Sequence, residues 1–388
     1  MTAAVPPQNG PSGLFRAVVA SVEAFRDPSA ALADWRALSP DSYASFYQTE
    51  KFLLTWLDHF GEREKLSPFF IVARDAEGAT LALLALGLFR YGPLRVAKFL
   101  GGKHSNYNLG LFRADCAISA EDLRWLLAEA ARKTRDGPHL YRLLNLPLRW
   151  KGDNPLALLP RQQAASFAYA TKLGDDGEAW LAAQLSSDTR KKLRKKEKRL
   201  AGMGELRYFR AADRGEAKLI LDAFFEQKRG RYADPAYEED LLATRAFYEA
   251  LTAPDADAPP SVELHALTLD GRVIATFAAG LNAGRLQGMF NSFDADPEIA
   301  KSSPGDILLT FVLRDCCARK LDAFDLGVGD ARYKASFCDE IETMVDVNVA
   351  VGGFGELARP IFLAAGAIKA AIKRNPGLHA AAIKLRRS

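Results

Sequence analysis

Residues 285–334, RLQGMFNSFDADPEIAKSSPGDILLTFVLRDCCARKLDAFDLGVGDARYK, read in order as a strand, a loop, a helix opening, a helix, a second strand and a polar tip. The first strand is Arg285–Phe293, the helix Gly305–Lys320 and the second strand Ala323–Gly327; the tip ends in Tyr333-Lys334. That order builds a crevice between two neighbouring strands, with a helix N-terminus pointing into it. Ser303 before Pro304 is a favoured N-cap followed by proline at the first helical position. Asp306 stands three residues after the cap, so Ser-x-x-Asp reads as a variant capping box. Free backbone N–H groups and the positive end of the helix dipole attract a pyrophosphate. The crevice therefore suits a phosphate-bearing ligand such as coenzyme A, although Asp306 opposes an anion unless it points away.

The tip from Asp325 to Lys334 packs carboxylates, glycines, a phenol and cations just beyond a strand end. Open α/β sheets bind ligands at such strand termini. A carboxylate there, Asp325 or Asp330, can accept a proton from an incoming amine, and Tyr333 can return one to a leaving thiolate. Lys334 can hold a negatively charged group. The plain alternative is a glycine turn carrying solvated polar residues.

Working upstream, Arg285–Phe293 follows the turn Asn282-Ala283-Gly284, and strands Val262–Leu269 and Val273–Leu281 are joined by Asp270-Gly271. Asp-Gly between apolar runs is a strong hairpin signal. Before them lie helices at Gly215–Gly230 and Tyr237–Leu251, strands at Ala165–Lys172 and Leu206–Arg210, and a helical segment Asp176–Leu200. That segment holds Arg190–Arg199, with eight cations against one acid. Its cations, Arg190 and Arg194 among them, can draw cofactor phosphates, nucleic acid or anionic lipid. No aromatic residue is interleaved, which argues against stacking on single strands; a solvated helix face is the ordinary reading.

The first half carries a helix over Asp41–Phe60, with aromatic and aliphatic residues at helical spacing, and a hairpin of Phe69–Arg74 with Leu81–Phe89. Strands follow at Arg95–Leu100 and Asn108–Phe112, then a helix at Ala120–Thr134 and a strand at His139–Asn145. The loop Gly101–Asn108 concentrates polar groups. His104, Asn106 and Tyr107 are its candidate substrate contacts, His104 as an acid or base near neutral pH, against a structural turn with a hydrogen-bonded histidine. The two halves share a coarse order of helix, hairpin strands, helix and strand. The tail Leu357–Ser388 is basic and amphipathic, with a break at Asn375-Pro376-Gly377; it fits an anionic membrane surface, the body of the protein or a partner.

The totals set bounds. A chain of 388 residues exceeds one typical domain. Its 48% hydrophobic and 26% charged residues are ordinary for a soluble globular protein, and the net charge is only +4. Four cysteines without a CxxC pair and five scattered histidines predict no structural metal and a reduced, cytoplasmic setting. Met1–Gly13 lacks the apolar core of a signal peptide. Leu81–Phe89, the longest apolar run, falls short of the roughly 20 residues a spanning helix needs.

Three segments, Ser186–Leu200, Phe290–Leu309 and Phe324–Lys334, resemble a bacterial acyltransferase family of the GNAT superfamily of coenzyme A-dependent N-acyltransferases. Members of that family are often linked to cellulose or exopolysaccharide biosynthesis. The chain is also similar to the Fem-type aminoacyltransferases, which carry two GNAT-like domains. The resemblance covers roughly residues 165–337, and more weakly Phe46–Phe60 and Phe99–Phe112. It implies an α+β fold of tandem GNAT-like domains, mixed central sheets flanked by helices, over 14–160 and 161–350, with the tail at 351–388. It implies that strands Arg285–Phe293 and Ala323–Gly327 splay to admit a pantetheine arm, with Asn291, Ser302, Ser303, Pro304, Gly305 and Asp306 at the cofactor and Asp330, Tyr333 and Lys334 near the acyl group or acceptor. The usual Q/R-x-x-G-x-G/A phosphate loop is absent from 302–305. The expected function is transfer of an acetyl or longer acyl group from acyl-CoA to an amine, in exopolysaccharide or cell-envelope biosynthesis. A charged tRNA as donor, and a non-catalytic protein docking on polyanions or membrane, are the alternatives.

Overall fold

The computed structural model describes residues 15–16, 19–40, 44–229, 235–253, 262–329, 331–375 and 377–378. Asp330 lies outside them, as do Asp41–Tyr43 of the expected first helix and the last ten residues of the tail.

Two large sheets dominate. The first runs Ser21–Phe25, Ser67–Arg74, Thr80–Tyr91, Leu94–Phe99, Leu140–Pro147, Met344–Ala350 and Arg161–Gln163, with the short strand Leu111–Phe112 also on Thr80–Tyr91. The second runs Leu206–Arg210, Val262–Leu269, Arg272–Asn282, Arg285–Phe293, Ala323–Val328, Ala168–Lys172 and Glu340–Glu342. Both are antiparallel except for one central parallel pair: Leu94–Phe99 with Leu140–Pro147 in the first, and Arg285–Phe293 with Ala323–Val328 in the second. Each parallel pair is bridged by a long crossover containing a helix, Ala120–Arg132 or Pro304–Ala318, as parallel strands require. The fold is α+β, with two GNAT-like units in tandem.

Local chemistry sets the hairpins. Asp270 and Gly271 have φ of 49° and 79°, and Ala283 and Gly284 have 46° and 75°. Positive φ at both central residues is the geometry whose twist matches a tight hairpin. The strand Arg272–Asn282 between those turns is buried over eight consecutive residues, because helices cover both faces of the sheet. On one face lies Pro304–Ala318, which buries Ile307, Leu308, Val312, Leu313 and Cys316. The other face meets helices Arg214–Arg229 and Pro235–Thr252 and, beyond them, the first unit.

One continuous core therefore joins the units: Phe46, Phe52, Trp56 and Phe60 from the first pack with Phe224, Phe225, Phe247 and Val262 from the second. Burying each such aromatic contributes about 1.5–3 kcal/mol. Gly280 is the fitting part of this seam: a Cβ there would stand 2.2 Å from the Phe46 ring.

Several expectations change. The helix read over Asp41–Phe60 is a short turn at Phe46–Gln48 followed by a helix at Glu50–Phe60, because Thr49 in extended conformation caps the second piece. The segment Asp176–Leu200 is two helices, Gly177–Gln184 and Ser187–Ala201, separated by Ser186, which caps the second through Thr189 N. The strand read over Asn108–Phe112 shrinks to Leu111–Phe112. Residues 161–163 and 344–350, read as second-domain sequence, are strands of the first sheet, where Met344–Ala350 lies between Leu140–Pro147 and Arg161–Gln163. The tail forms the helix Gly352–Arg374, seated on those first-sheet strands.

Candidate active site in the second sheet

The parallel pair of the second sheet is short. Arg285, Leu286 and Gln287 register with Ala323, Phe324 and Asp325, and pairing stops there. Both strands then bulge. Arg285–Phe293 shifts register against its other neighbour between Gly288 and Phe290, leaving Met289 as the extra residue. Ala323–Val328 shifts against Ala168–Lys172 between Asp325 and Gly327, with Leu326 as the extra residue. A bulge bends its strand and raises the local twist, so two bulges on either side of one gap drive the strands apart. The splay expected from the sequence is present.

Beside this gap the helix Pro304–Ala318 packs on Arg272–Asn282 and Arg285–Phe293. Between the helix start, these two strands and Tyr333 lies a cleft with a cavity of about 80 Å³, lined by Thr276, Asn291, Phe293, Gly305, Asp306 and Tyr333 among others. A Cβ on Gly305 would meet nothing nearer than the Phe293 ring, at 3.9 Å. The backbone of the first helical turn thus fronts open space.

The expected capping box does not form. Ser303 has φ 49° and ψ 60°, the left-handed region, and its side chain caps no N–H. Its Oγ instead meets Lys196 Nζ at 2.7 Å. Next to it, Ser302 is fully buried, and its Oγ has no hydrogen-bond partner among the described residues. The two donors that a closed box would satisfy bond backbone carbonyls instead, Ser303 N to Ala300 O at 2.9 Å and Asp306 N to Ser303 O at 3.0 Å.

Asp306 is half-buried in the cleft; burial raises its carboxyl above the ordinary range, and the nearby Lys196 works against that. Tyr333, on the short helix Arg332–Phe337, faces it. Asn291 Nδ2 donates to the Tyr333 hydroxyl oxygen at 3.0 Å, which leaves the phenolic proton free to point into the cleft. Burial raises the Tyr333 pKa above 10, the Asn291 bond opposes this, and Asp306 adds to it. The phenol is thus protonated at neutral pH. Tyr333, Asn291, Gly305 and Asp306, expected from the sequence, all converge.

The remaining candidates sit elsewhere. Asp325 is fully buried. Its Oδ1 accepts from Tyr107 OH at 2.8 Å and from Gly327 N at 2.6 Å, and Oδ2 accepts from Arg285 Nε at 2.9 Å. Arg285 also reaches Glu342 Oε1 at 2.6 Å and stacks 4.3 Å above the Trp150 ring. Asn106 Nδ2 donates to Tyr47 OH at 2.8 Å and to Gly288 O at 2.9 Å. Asp325, Asn106 and Tyr107 therefore form a seam beneath the gap that ties the first unit to both splayed strands. Gly327, with φ 72°, belongs to the same seam: a Cβ there would strike the Asn106 amide at 2.4 Å. Lys334 is buried, its Nζ donating to Gly327 O at 3.2 Å and Val328 O at 3.0 Å, so it anchors the Tyr333 helix to the strand end.

His104 does not face the cleft. Trp56 Nε1 lies 3.1 Å from its Nδ1, Phe60 packs 4.5 Å from its ring, and Thr244 Oγ1 is 3.3 Å from Nε2. Burial lowers its pKa to about 4, so the ring is neutral near pH 7.

The sequence reading passed over Lys196. At about 100° per residue, Lys196 lies on the far side of the basic helix from Arg194 and over 100° from Arg190. Leu193 and Leu200, the inward residues of that helix, flank Lys196, and their spacing is the signal that picks it out. Arg194 is exposed, and Arg190 is half-buried with Nε lacking a partner among the described residues.

Residues 187–335 match a family model described as an acetyltransferase (GNAT) domain. The second unit is a GNAT-type acyltransferase domain. The chain that carries it is thus an enzyme, and the match spans the basic helix, the splayed strands and the Tyr333 helix together. No curated protein matches the chain by sequence. Among solved structures, FemX is similar with a TM-score of 0.54 at 11% identity, over 84% of this chain and 97% of FemX; at that identity the likeness is one of fold. The C-terminal domain of a putative lysylphosphatidylglycerol synthetase from Agrobacterium fabrum gives 0.48 at 14% identity, over 86% of this chain and 95% of that one. A tandem GNAT protein from the clavulanic acid biosynthesis pathway gives 0.47 at 12%, over 86% and 99%.

Proposed function

We propose that the enzyme transfers an acyl group from acyl-coenzyme A to an amine acceptor at the gap between Arg285–Phe293 and Ala323–Val328. The observation that carries this reading is the end of pairing at Gln287 and Asp325 beside an uncapped helix start. A pantetheine arm supplies amide groups that match the edge where the two strands part, and a pyrophosphate matches the Gly305 N–H and the positive end of the helix. The orphaned Ser302 hydroxyl and the ammonium of Lys196 fit the same anion. Lys196 reaches the site from another helix, in place of the cation that the missing phosphate loop would provide.

The chemistry needs no covalent enzyme intermediate. The amine nitrogen attacks the thioester carbonyl, the C–N bond forms and the C–S bond breaks. The amine gives its proton to a carboxylate, for which Asp330 is the candidate that the sequence offers. The departing thiolate takes the phenolic proton of Tyr333, which Asn291 orients. Lys334 and Asp325 act as positioning residues, holding the Tyr333 helix and the strand end.

The setting in exopolysaccharide or cell-envelope biosynthesis, and a cytoplasmic location, belong to this proposal through the resemblance of 165–337. A charged tRNA as donor, the Fem-type alternative, is favoured by the exposed cations of Ser187–Ala201. Release of free thiol from acetyl-CoA with a panel of amines tests the reading. Tyr333→Phe is expected to lower kcat about a hundredfold with KM and thermal stability unchanged. Undiminished turnover removes the phenol from the reaction, and dependence on charged tRNA with no thiol release favours the alternative.

A further inference from the structure

The helix Gly352–Arg374 is apolar on two opposite sides. One side, with Gly355, Phe362 and Ala370, is turned to the first sheet, where Arg142 lies over the Phe362 ring at 5.1 Å and Gly355 approaches His139 O. The other side faces out. Leu357 is 77% exposed, Ile361 70%, Ile368 60% and Phe354 45%. At about 100° per residue, these four with Ala364, Ala365 and Ile372 fall within an arc of about 100°. A helix with an apolar face in water is ordinarily turned toward a core, and contiguous exposed apolar patches mark interaction surfaces. The buried side of this helix is already taken, so the outer stripe needs a second surface.

Charge decides which surface. Within the helix, Arg359, Lys369, Lys373 and Arg374 stand against one acid, Glu356, which pairs with Arg359 at 2.9 Å. Lys369 borders the apolar arc on one side and Arg374 lies on the other, whereas Lys373 is turned inward, its Nζ donating to Ser166 Oγ at 2.6 Å. The sequence after Arg374 adds Lys384, Arg386 and Arg387 with no carboxylate side chain. Two copies of this face brought together would oppose like charges. An anionic lipid surface accepts the apolar stripe between acyl chains and pairs with the Lys369 ammonium and the Arg374 guanidinium, whose long stems reach the headgroups. The helix has 23 residues, about 34 Å in length, and no described helix is long and apolar enough to cross a membrane.

We infer that the outward face of Gly352–Arg374 docks flat on an anionic membrane surface, which places the acyl-transfer domain at the lipid interface. The test is co-sedimentation of the full chain with vesicles of phosphatidylcholine alone and of phosphatidylcholine with about one-third phosphatidylglycerol. Binding is expected to the second only and to weaken as salt rises. Leu357→Asp with Ile361→Asp is expected to reduce that binding at least tenfold or so, with thermal unfolding unchanged because both side chains project into solvent. Lys369→Gln with Arg374→Gln keeps the stripe and is expected to reduce binding to the anionic vesicles as well. Absence of binding, equal binding to both vesicles, or wild-type affinity in the Asp variant overturns the inference. So does concentration-dependent self-association in sedimentation velocity that the Asp variant abolishes, because the stripe then meets a second copy.

Discussion

In the first sheet the parallel pair registers Val96 with Leu140 and Ala97 with Tyr141, and the space beyond is taken by Asn108. Its backbone N–H donates to Asn145 O at 3.1 Å and its side chain to Leu144 O at 2.9 Å. The helix after that gap starts with Ser119 and Asp122 in a closed capping box. In the second sheet the same frame is filled from one side only, by residues of the first unit. Beyond Gln287 the two strands do not pair with each other; Gly288 O accepts instead from Asn106 Nδ2 and from Tyr47 OH, each at 2.9 Å, and Ser303 and Asp306, at the same spacing as Ser119 and Asp122, do not cap each other through their side chains. The first unit closes its gap with its own Asn108 and its helix start with side chains, whereas the second borrows Asn106 and Tyr47 from the first unit at Gly288 and has no side-chain cap on its helix. The difference teaches that a GNAT-like frame becomes a site through what it fails to fill.

Closing the second gap as the first is closed is the most direct way to break this contrast. Gly305→Leu places a side chain in the cleft where the backbone has room. It is expected to raise KM for acyl-CoA by more than about a hundredfold while stability holds or rises slightly, since leucine favours helix over glycine. Steady-state kinetics with a thermal melt measures both, and unaltered KM would show that the ligand enters elsewhere.

The next largest effect concerns the seam. Asp325→Ala strips the carboxylate from buried Arg285 and Tyr107, and a buried ion pair broken on one side costs about 3–5 kcal/mol. Urea unfolding should register this loss. A change below about 1 kcal/mol would mean that the two units do not depend on this network.

The smallest effect sharpens the comparison of the helix starts. Ser119→Ala should cost about 1 kcal/mol, the usual worth of a side-chain cap. Ser303→Ala should change stability by less than about 0.5 kcal/mol, because Ser303 caps nothing. Equal costs at the two sites, measured by denaturant unfolding, would contradict the open helix start.

Much of the frame could be read from the chain. Asp270-Gly271 and Ala283-Gly284 imposed their turns, and the strands beside them followed. Asn291, Gly305, Asp306 and Tyr333 were found because the ends of adjacent elements, a few residues apart in pattern, must come together once the crossover packs. Asn106, Tyr107 and Asp325 were found as polar candidates but lie in the seam. Their roles depend on partners some 200 residues away, Asp325 from Tyr107 and Gly288 from Asn106, and no local pattern carries such a pairing. The return of Met344–Ala350 to the first sheet was hidden for the same reason.

Element types, hairpin turns, the basic helix and the amphipathic tail were determined by the sequence alone, because they rest on backbone preferences and on periodicities of 2 and about 3.6 residues. Tertiary structure decided that Ser119 closes its box and Ser303 does not, although both stand three residues before an aspartate. Ser303 has φ 49°, and its hydroxyl is taken by Lys196 Nζ, which arrives from a helix about 100 residues earlier. Side-chain spacing is a local property, but whether a donor is satisfied depends on everything folded around it.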